Sequence, residues 1–234
     1  MDSPVTLSPE PGMQKDSSLP WRGVIQVFSN PSKFFSELRE QPRILIPYMV
    51  LGALLVVLLL FTQDYIWEMQ MNSPQMQERL QGQELPPEAE TWGKLSIVIG
   101  GALVMLILPL LEAAIAMFWG NFVFAGQTTF KRVLSVCLYG NILFAVGSLV
   151  HVPLIMAKDS MAVTLSPAIL VADKGISSFA YQALSKLSLF HIWEIVVVGI
   201  GMAAVYGFSR NKGYWISVLS LGLLSALSLL GNLF

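Results

Sequence analysis

Residues 44–61 read ILIPYMVLGALLVVLLLF, a run without a single charged residue. A helix needs about 20 predominantly apolar residues to cross the hydrocarbon core of a bilayer. Four further stretches of this kind follow, so that the predicted spans are residues 44–61, 95–125, 133–156, 189–208 and 214–233. Soluble folds do not need five such segments in a chain of 234 residues. We therefore predict an all-α, polytopic membrane helix bundle with five transmembrane helices.

The composition supports this class of protein. Hydrophobic residues make up 54% of the chain and charged residues 12%, whereas soluble domains carry roughly a quarter charged residues. A net charge of −1 offers no basic field for nucleic acid. Cys137 is the single cysteine, which excludes a disulfide framework, and no phosphate-binding loop, HExxH or GxSxG motif occurs. We therefore expect no enzymatic activity, no cofactor and no nucleic-acid partner; the expected partner at this point is the lipid bilayer.

The chain before the first span divides into two parts. Residues 1–19 are rich in Pro, Ser and charge, and we predict a disordered tail. Residues 20–42 are predicted to form amphipathic helices, with Asn30 as an N-cap and Pro31 as the first helical residue of the second. One interpretation places these helices in the membrane interface, and the alternative packs them on the protein's own cytoplasmic loops. The aromatic residues expected to anchor them at the interface are Trp21, Phe28, Phe34 and Phe35.

The distribution of Lys and Arg predicts the orientation. We expect no signal peptide, because residues 1–43 contain no apolar run of the required length. With a cytoplasmic N-terminus, the inner segments hold nine basic residues and the outer segments five. The inner set is Lys15, Arg22, Lys33, Arg39, Arg43, Lys131, Arg132, Arg210 and Lys212, and the outer set is Arg79, Lys94, Lys158, Lys174 and Lys186. This asymmetry predicts a protein of the cytoplasmic membrane with its N-terminus inside and its C-terminus outside.

Polar side chains inside apolar segments are costly in lipid and are therefore candidate functional residues. Glu112 lies near the middle of the long second span, and Asn141 lies within the third. His191 and Glu194 are three residues apart and share a face of the fourth. Counting along the helices predicts that these two residues lie at the same outer depth as His151, with Glu112 several turns deeper.

Two interpretations of these residues stay open. The first is a proton-responsive or cation-binding outer cluster, with Glu112 as a second, deeper site. The second is hydrogen bonding between helices, with a protonated Glu112 bonded to Asn141, a serine or a backbone carbonyl. A metal site is disfavoured, because two histidines and one glutamate on two helices have no diagnostic spacing.

Small residues at four-residue spacing predict close contacts between helices. Gly199, Ala203 and Gly207 form one stripe in the fourth span, and Gly222 and Ala226 form another in the fifth. We expect both stripes to pack within the monomer, with a dimer interface as the alternative.

The two predicted outer loops are long. Residues 62–94 contain six acidic residues against Arg79 and Lys94, and Ser73-Pro74 is predicted to open a short helix. Residues 157–188 contain an apolar stretch that is too short to span a bilayer. No internal repeat is present, so the sequence does not support an inverted-repeat transporter.

Several short segments occur in a recognisable order. They are Trp21-Arg22-Gly23-Val24, Asn30-Pro31-Ser32-Lys33-Phe34-Phe35, Pro42, Leu189-Phe190-His191-Ile192-Trp193-Glu194, Gly199-Ile200-Gly201 and Phe208-Ser209-Arg210-Asn211-Lys212. Together they resemble the bacterial branch of the Yip-domain family of membrane proteins, over about residues 20–232. The resemblance implies a five-helix domain over residues 43–234 and a membrane accessory or scaffold protein, with no catalytic residues. The Asp-Leu-Tyr-Gly-Pro signature of the eukaryotic branch, which is linked to small GTPases and vesicle traffic, is absent.

We therefore expect a non-enzymatic accessory or scaffold protein that acts on other membrane proteins. The alternative is a small transporter, channel or lipid-moving protein that uses Glu112 or the outer cluster of His151, His191 and Glu194.

Overall fold

Helices account for all the regular structure in the part of the chain that the computed structural model describes, which is residues 22–83, 85–158, 164–176 and 178–231. They are α1 (Arg22–Ser29), α2 (Pro31–Glu40), α3 (Leu45–Met71), α4 (Pro74–Leu80), α5 (Pro87–Phe118), α6 (Phe130–Lys158), α7 (Phe179–Ser185), α8 (Leu189–Tyr206) and α9 (Arg210–Gly231). A π-helical turn, Trp119–Val123, extends α5, and a 3-10 segment, Pro167–Lys174, precedes α7. The predicted all-α class is confirmed. The predicted disordered tail, Trp21 and the last three residues lie outside the described residues.

Five of these helices are long and apolar enough to cross a membrane, namely α3, α5, α6, α8 and α9. The predicted number and order of spans are therefore confirmed, and two boundaries differ most from the prediction. The helix α3 continues past Phe61 to Met71, and α5 begins at Pro87 rather than at Leu95. The added turns carry charge, and Lys94 Nζ on α5 lies 2.6 Å from both Asp64 Oδ1 on α3 and Glu90 Oε1 on α5. These ion pairs stabilise helical turns that hydropathy alone does not predict.

The helix α6 is at the centre of the bundle. In an apolar stretch of 18 residues within α6, 72% of the residues are buried, whereas in the corresponding stretch of the second span, which includes α5, 17% are buried. It packs on α3, α5 and α8, and α8 packs in turn on α9 and α2. The bundle is therefore centred on α6, which is surrounded by other helices. The helix α5 lies at the periphery, and most of its apolar side chains face outward.

The short helix α2 belongs to the core of the bundle. Asn30 caps it as predicted, since Asn30 Oδ1 accepts a hydrogen bond of 3.2 Å from Lys33 N. Phe34 and Phe35 are 5% and 0% exposed. The ring of Phe35 lies against Gly201 on α8, and the ring centroid of Phe34 lies 4.6 Å from that of Tyr139 on α6.

The prediction that Phe34 and Phe35 anchor the chain in the interface is wrong, because both rings are enclosed between helices and cannot reach lipid. Phe28 is half-buried, with its ring edge-on to Trp193 at a centroid distance of 6.3 Å. The hydrophobic pattern of an amphipathic helix is the same whether its apolar side faces lipid or protein, so the sequence did not distinguish the two.

Candidate functional site

A cavity of about 560 Å³ lies between α5, α6, α8 and α9 and reaches the end of the bundle at which α8 begins. Its volume is typical of small-molecule sites, which are about 300–1,000 Å³. The structure brings together around it the five polar intramembrane candidates from the sequence, which are Glu112, Asn141, His151, His191 and Glu194. We refer to it as the polar cavity.

The floor of the polar cavity is formed by Glu112 on α5 and Asn141 on α6. Glu112 is 1% exposed, and its Oε2 accepts a hydrogen bond of 2.6 Å from Asn141 Nδ2. The same amide donates to the carbonyl oxygen of Cys137, one turn earlier, at 2.9 Å. Glu112 Oε1 is buried and has no nitrogen or oxygen partner among the described residues; the Cys137 thiol lies beside the carboxyl group. The floor therefore presents an acceptor without a conventional donor.

The wall on α8 carries the pair His191 and Glu194. Ser188 caps the helix, since its Oγ accepts a hydrogen bond of 3.2 Å from His191 N, and this fixes where the first turn begins. His191 Nδ1 then lies 2.9 Å from Glu194 Oε2, on one helix face as their spacing predicts. A Cβ at Gly140 would lie 3.7 Å from Glu194 Cγ. Because Gly140 precedes Asn141, the glycine brings the Glu194 carboxyl group next to the floor.

The sequence predicted two sites at different depths, with Glu112 deeper than His191 and Glu194, but the structure places these residues around one cavity. Counting along each helix gives positions along an axis, but the approach of α8 to α6 at Gly140 depends on how the helices cross.

The mouth of the polar cavity was not predicted. Lys186, in the turn between α7 and α8, lines it and donates a hydrogen bond of 3.0 Å from Nζ to Ser228 Oγ on α9. Tyr181 on α7 also lines it, and burial raises the pKa of its phenol above the ordinary value. In the sequence Lys186 counted only as an outer-loop charge, and no local signal shows that the loop folds back over the bundle.

Comparison with known proteins assigns the chain to a family. The model of the Yip1 domain matches residues 25–231. The chain belongs to the Yip1 domain family. This Yip1-domain protein is also similar to membrane protein YknW of Bacillus subtilis (strain 168), with 25% identity over 213 residues that cover 88% of each chain. No solved structure matches it. The resemblance deduced from the sequence is confirmed, and the protein is an integral membrane protein with several spans.

The small residues of this Yip1-domain protein divide into two groups. Gly199 and Ala203 lie at the contact of α8 with α9, where a Cβ at Gly213 would meet Gly199 O and would lie 2.7 Å from Ala203 Cβ. Gly213 was not singled out from the sequence, although it completes this contact.

The other small residues do not pack as predicted. Gly207 lies outside α8 and ends it as a left-handed C-cap with φ of 70°, a conformation that favours glycine. A Cβ at Gly222 would meet none of the described residues within 4 Å, and Ala226 is exposed. The opposite face of α9, which carries the buried Ile216 and Ser220, makes the contacts instead. The prediction that the second stripe packs within the monomer is therefore wrong.

Within the described ranges, no group of three or more His, Cys, Asp or Glu side chains is arranged to hold a metal ion. The polar cavity of this Yip1-domain protein instead combines two buried carboxyl groups, two imidazoles and one ammonium group with apolar walls. Such a site can bind an organic molecule that offers hydrogen-bond donors to its floor.

Proposed function

We propose that this Yip1-domain protein is a non-enzymatic accessory protein that binds another membrane protein through the helical hairpin of residues 62–94. This outer hairpin consists of the end of α3, α4 and the start of α5. The observation that carries the proposal is the length of the second span, whose first turns form one side of the hairpin. The second span, Glu88–Val123, has 36 residues, or about 54 Å, and a hydrocarbon core is about 30 Å thick. A tilted helix of this length still extends past the core.

The outer hairpin is held as one unit. Lys94 on α5 pairs across the hairpin with Asp64 on α3 and, within α5, with Glu90 one turn away, and an ion pair in such a network holds its geometry better than an isolated surface pair. The ring of Trp67 on α3 packs directly over Gly93 on α5. A preformed surface loses less conformational entropy on binding than a flexible loop does, which favours a role in recognition.

The charge of the outer hairpin indicates the kind of partner. It has six acidic and two basic residues, and Lys94 is already paired. Glu68, Glu78 and Glu88 are exposed, as is Trp92, 68% of whose surface is accessible. Exposed tryptophan is over-represented among the residues that dominate protein interfaces. The partner surface would therefore be basic, with an apolar recess for an aromatic ring.

We further propose that the N-terminus is cytoplasmic and the C-terminus outside, which places the outer hairpin on the outer face of the cytoplasmic membrane. The nine basic residues of the inner segments against five in the outer segments support this orientation.

A photocrosslinking amino acid in place of Trp92 tests the accessory role. We expect one membrane protein to be crosslinked at this position in cells, and to co-purify stoichiometrically with the wild-type protein in mild detergent. A crosslinker in place of Leu227, which is exposed on α9, should capture no such protein.

Charge reversal provides the matched comparison. Reversal of Glu68 and Glu88 to Lys should lower recovery of the partner about tenfold or more, because like charges then face each other. Reversal of Glu40, which is exposed on α2, should leave recovery unchanged. Wild-type protein that is always free of a partner, or equal crosslinking from both positions, would contradict the proposal.

The polar cavity favours a second candidate function, that of a small transporter, channel or lipid-moving protein. Ionisable residues that line an intramembrane cavity commonly mark transport pathways. In liposomes, such a protein would show a flux that Glu112→Gln or Glu194→Gln reduces. Absence of flux from the wild-type protein for ions, small solutes and lipids would exclude this function.

A further inference from the structure

We propose that the polar cavity binds a primary ammonium group carried on an apolar body, whether this is the headgroup of an aminophospholipid or a free long-chain amine. The inference does not depend on the accessory role of the outer hairpin. It concerns binding, and it holds whether or not the ligand crosses the membrane.

The first support for the proposal is the unused acceptor at the floor. Glu112 is 1% exposed, and its Oε1 has no nitrogen or oxygen partner among the residues described; the Cys137 thiol beside the carboxyl group is only a weak donor. Buried polar atoms are nearly always hydrogen-bonded, so an exception calls for a missing donor. Oε2 is already engaged by Asn141, which fixes the direction in which Oε1 points. A ligand N–H group would complete the set.

The second support is the sign of the charge around that acceptor. Glu194 is 3% exposed and lines the same cavity, beside Gly140. Two carboxyl groups near one point in a medium of low dielectric favour a cation between them and disfavour an anion. A primary ammonium group supplies both the positive charge and three N–H donors.

The other titratable groups of the cavity lie further out. His191 is hydrogen-bonded to Glu194, and His151 and Tyr181 line the walls. Lys186 lies at the mouth, where Ser228 accepts a hydrogen bond from its Nζ. Glu194 is the sixth residue of α8, which places its backbone about 7 Å along the axis from the start of the helix. An acceptor-rich floor and a basic mouth match an ammonium group followed by a phosphate.

The third support is the shape of the cavity. Its volume of about 560 Å³ exceeds what an ammonium group alone would fill, and Leu108, Phe144, Leu221 and Leu224 line it. These apolar walls fit an alkyl body. A bare metal cation is a poorer match, because no group of three ligating side chains occurs among the residues described and hard cations require several oxygen ligands.

The test uses the full-length protein in phosphatidylcholine nanodiscs, with dodecylamine, dodecanol and dodecyl sulfate as probes and protein-free nanodiscs as the blank. We expect dodecylamine to bind saturably and about tenfold or more tightly than either other probe, because only the amine offers charge and donors to the floor. Equal binding of dodecanol would overturn the proposal, since it would show partition into lipid or apolar contact alone.

Variants of the cavity and one control connect binding to the floor. Glu112→Gln and Glu194→Gln should each weaken dodecylamine binding about tenfold or more, while Glu40→Gln, at an exposed position on α2, should leave it unchanged. If Glu112→Gln fails to fold, Ser225→Leu, which fills part of the cavity from α9 and keeps both glutamates, should also weaken binding. Wild-type affinity in the folded floor or cavity variants would overturn the proposal.

A second arm identifies the source of the ammonium group. The protein is released from nanodiscs of mixed phosphatidylethanolamine and phosphatidylcholine, and retained lipid is measured by native mass spectrometry. Selective retention of phosphatidylethanolamine by the wild-type protein, lost in Glu194→Gln, assigns the site to a lipid headgroup. Binding of dodecylamine without such retention assigns it to a free amine. If the protein neither retains phosphatidylethanolamine nor binds dodecylamine, the inference is refuted.

Discussion

Asn141 Nδ2 on α6 donates a hydrogen bond of 2.6 Å to Glu112 Oε2 on α5, with both side chains buried. This bond connects the best-buried span to the most peripheral one. The fully buried Ala113 and Ala116 beside it on α5 are small, which allows the two helices to approach closely. The pair therefore sets how α5 is rotated against the bundle and, with it, which way the free oxygen of Glu112 faces.

Replacement of Asn141 by Ala removes the one nitrogen donor seen for Glu112 among the described residues. We expect the free energy of unfolding to fall by about 1–3 kcal/mol, because a buried acceptor loses its donor. Thermal unfolding in detergent measures this loss. Asn211→Ala, at an exposed position near the start of α9, should change stability by less than about 0.5 kcal/mol. Equal effects of the two substitutions would show that the bond does not stabilise the bundle.

We predict opposite effects for the same substitution at two glycines of α9, Gly213 and Gly222. Gly213→Ala should destabilise the protein by about 1–3 kcal/mol, because the new methyl group overlaps Gly199 and Ala203 on α8. Gly222→Ala should be neutral or stabilising by up to about 1 kcal/mol, since the new Cβ meets no atom of the described residues within 4 Å and alanine favours a helix. Thermal unfolding of both variants in one detergent checks the pair. If Gly222→Ala is the more damaging, this face of α9 packs against something outside the described monomer.

Phe35 is predicted to be a core residue rather than a lipid anchor. Phe35→Ala should reduce the free energy of unfolding by about 3–5 kcal/mol, as expected for a fully buried phenyl ring. Phe122→Ala should have little effect on unfolding, because Phe122 is largely exposed at the end of the second span. Limited proteolysis and thermal unfolding measure both. A Phe35→Ala protein that keeps wild-type stability would restore the interpretation that this residue anchors the chain in the interface.

Cysteine labelling tests the proposed orientation on a clean background. The single cysteine, Cys137, is fully buried on α6, so a membrane-impermeant maleimide should not label the wild-type protein. We expect Gln77→Cys, exposed on α4, to be labelled in intact cells. Ser209→Cys, exposed between α8 and α9, should be labelled only after permeabilisation. The opposite labelling pattern, with Ser209→Cys labelled in intact cells and Gln77→Cys only after permeabilisation, would show that the outer hairpin lies in the cytoplasm.

The candidate site was predictable in its members but not in its arrangement. Glu112, Asn141, His151, His191 and Glu194 stand out because polar groups are rare in apolar spans. Their meeting around one cavity depends on Gly140, which admits the side chains of α8, and nothing in the local sequence shows which helix faces that glycine. Lys186 was missed for the same reason, because only the folded loop brings it to Ser228.

The sequence by itself determined the class of the protein, its five spans, their order and the N-cap at Asn30. These are local properties, because hydropathy and capping act within a single segment. Only the tertiary structure decided that Phe35 is buried, that Gly213 rather than Gly222 is a contact, and that two carboxyl groups share one cavity. Those outcomes depend on how each helix is rotated and crossed against its neighbours, which is set by packing between segments distant in the chain.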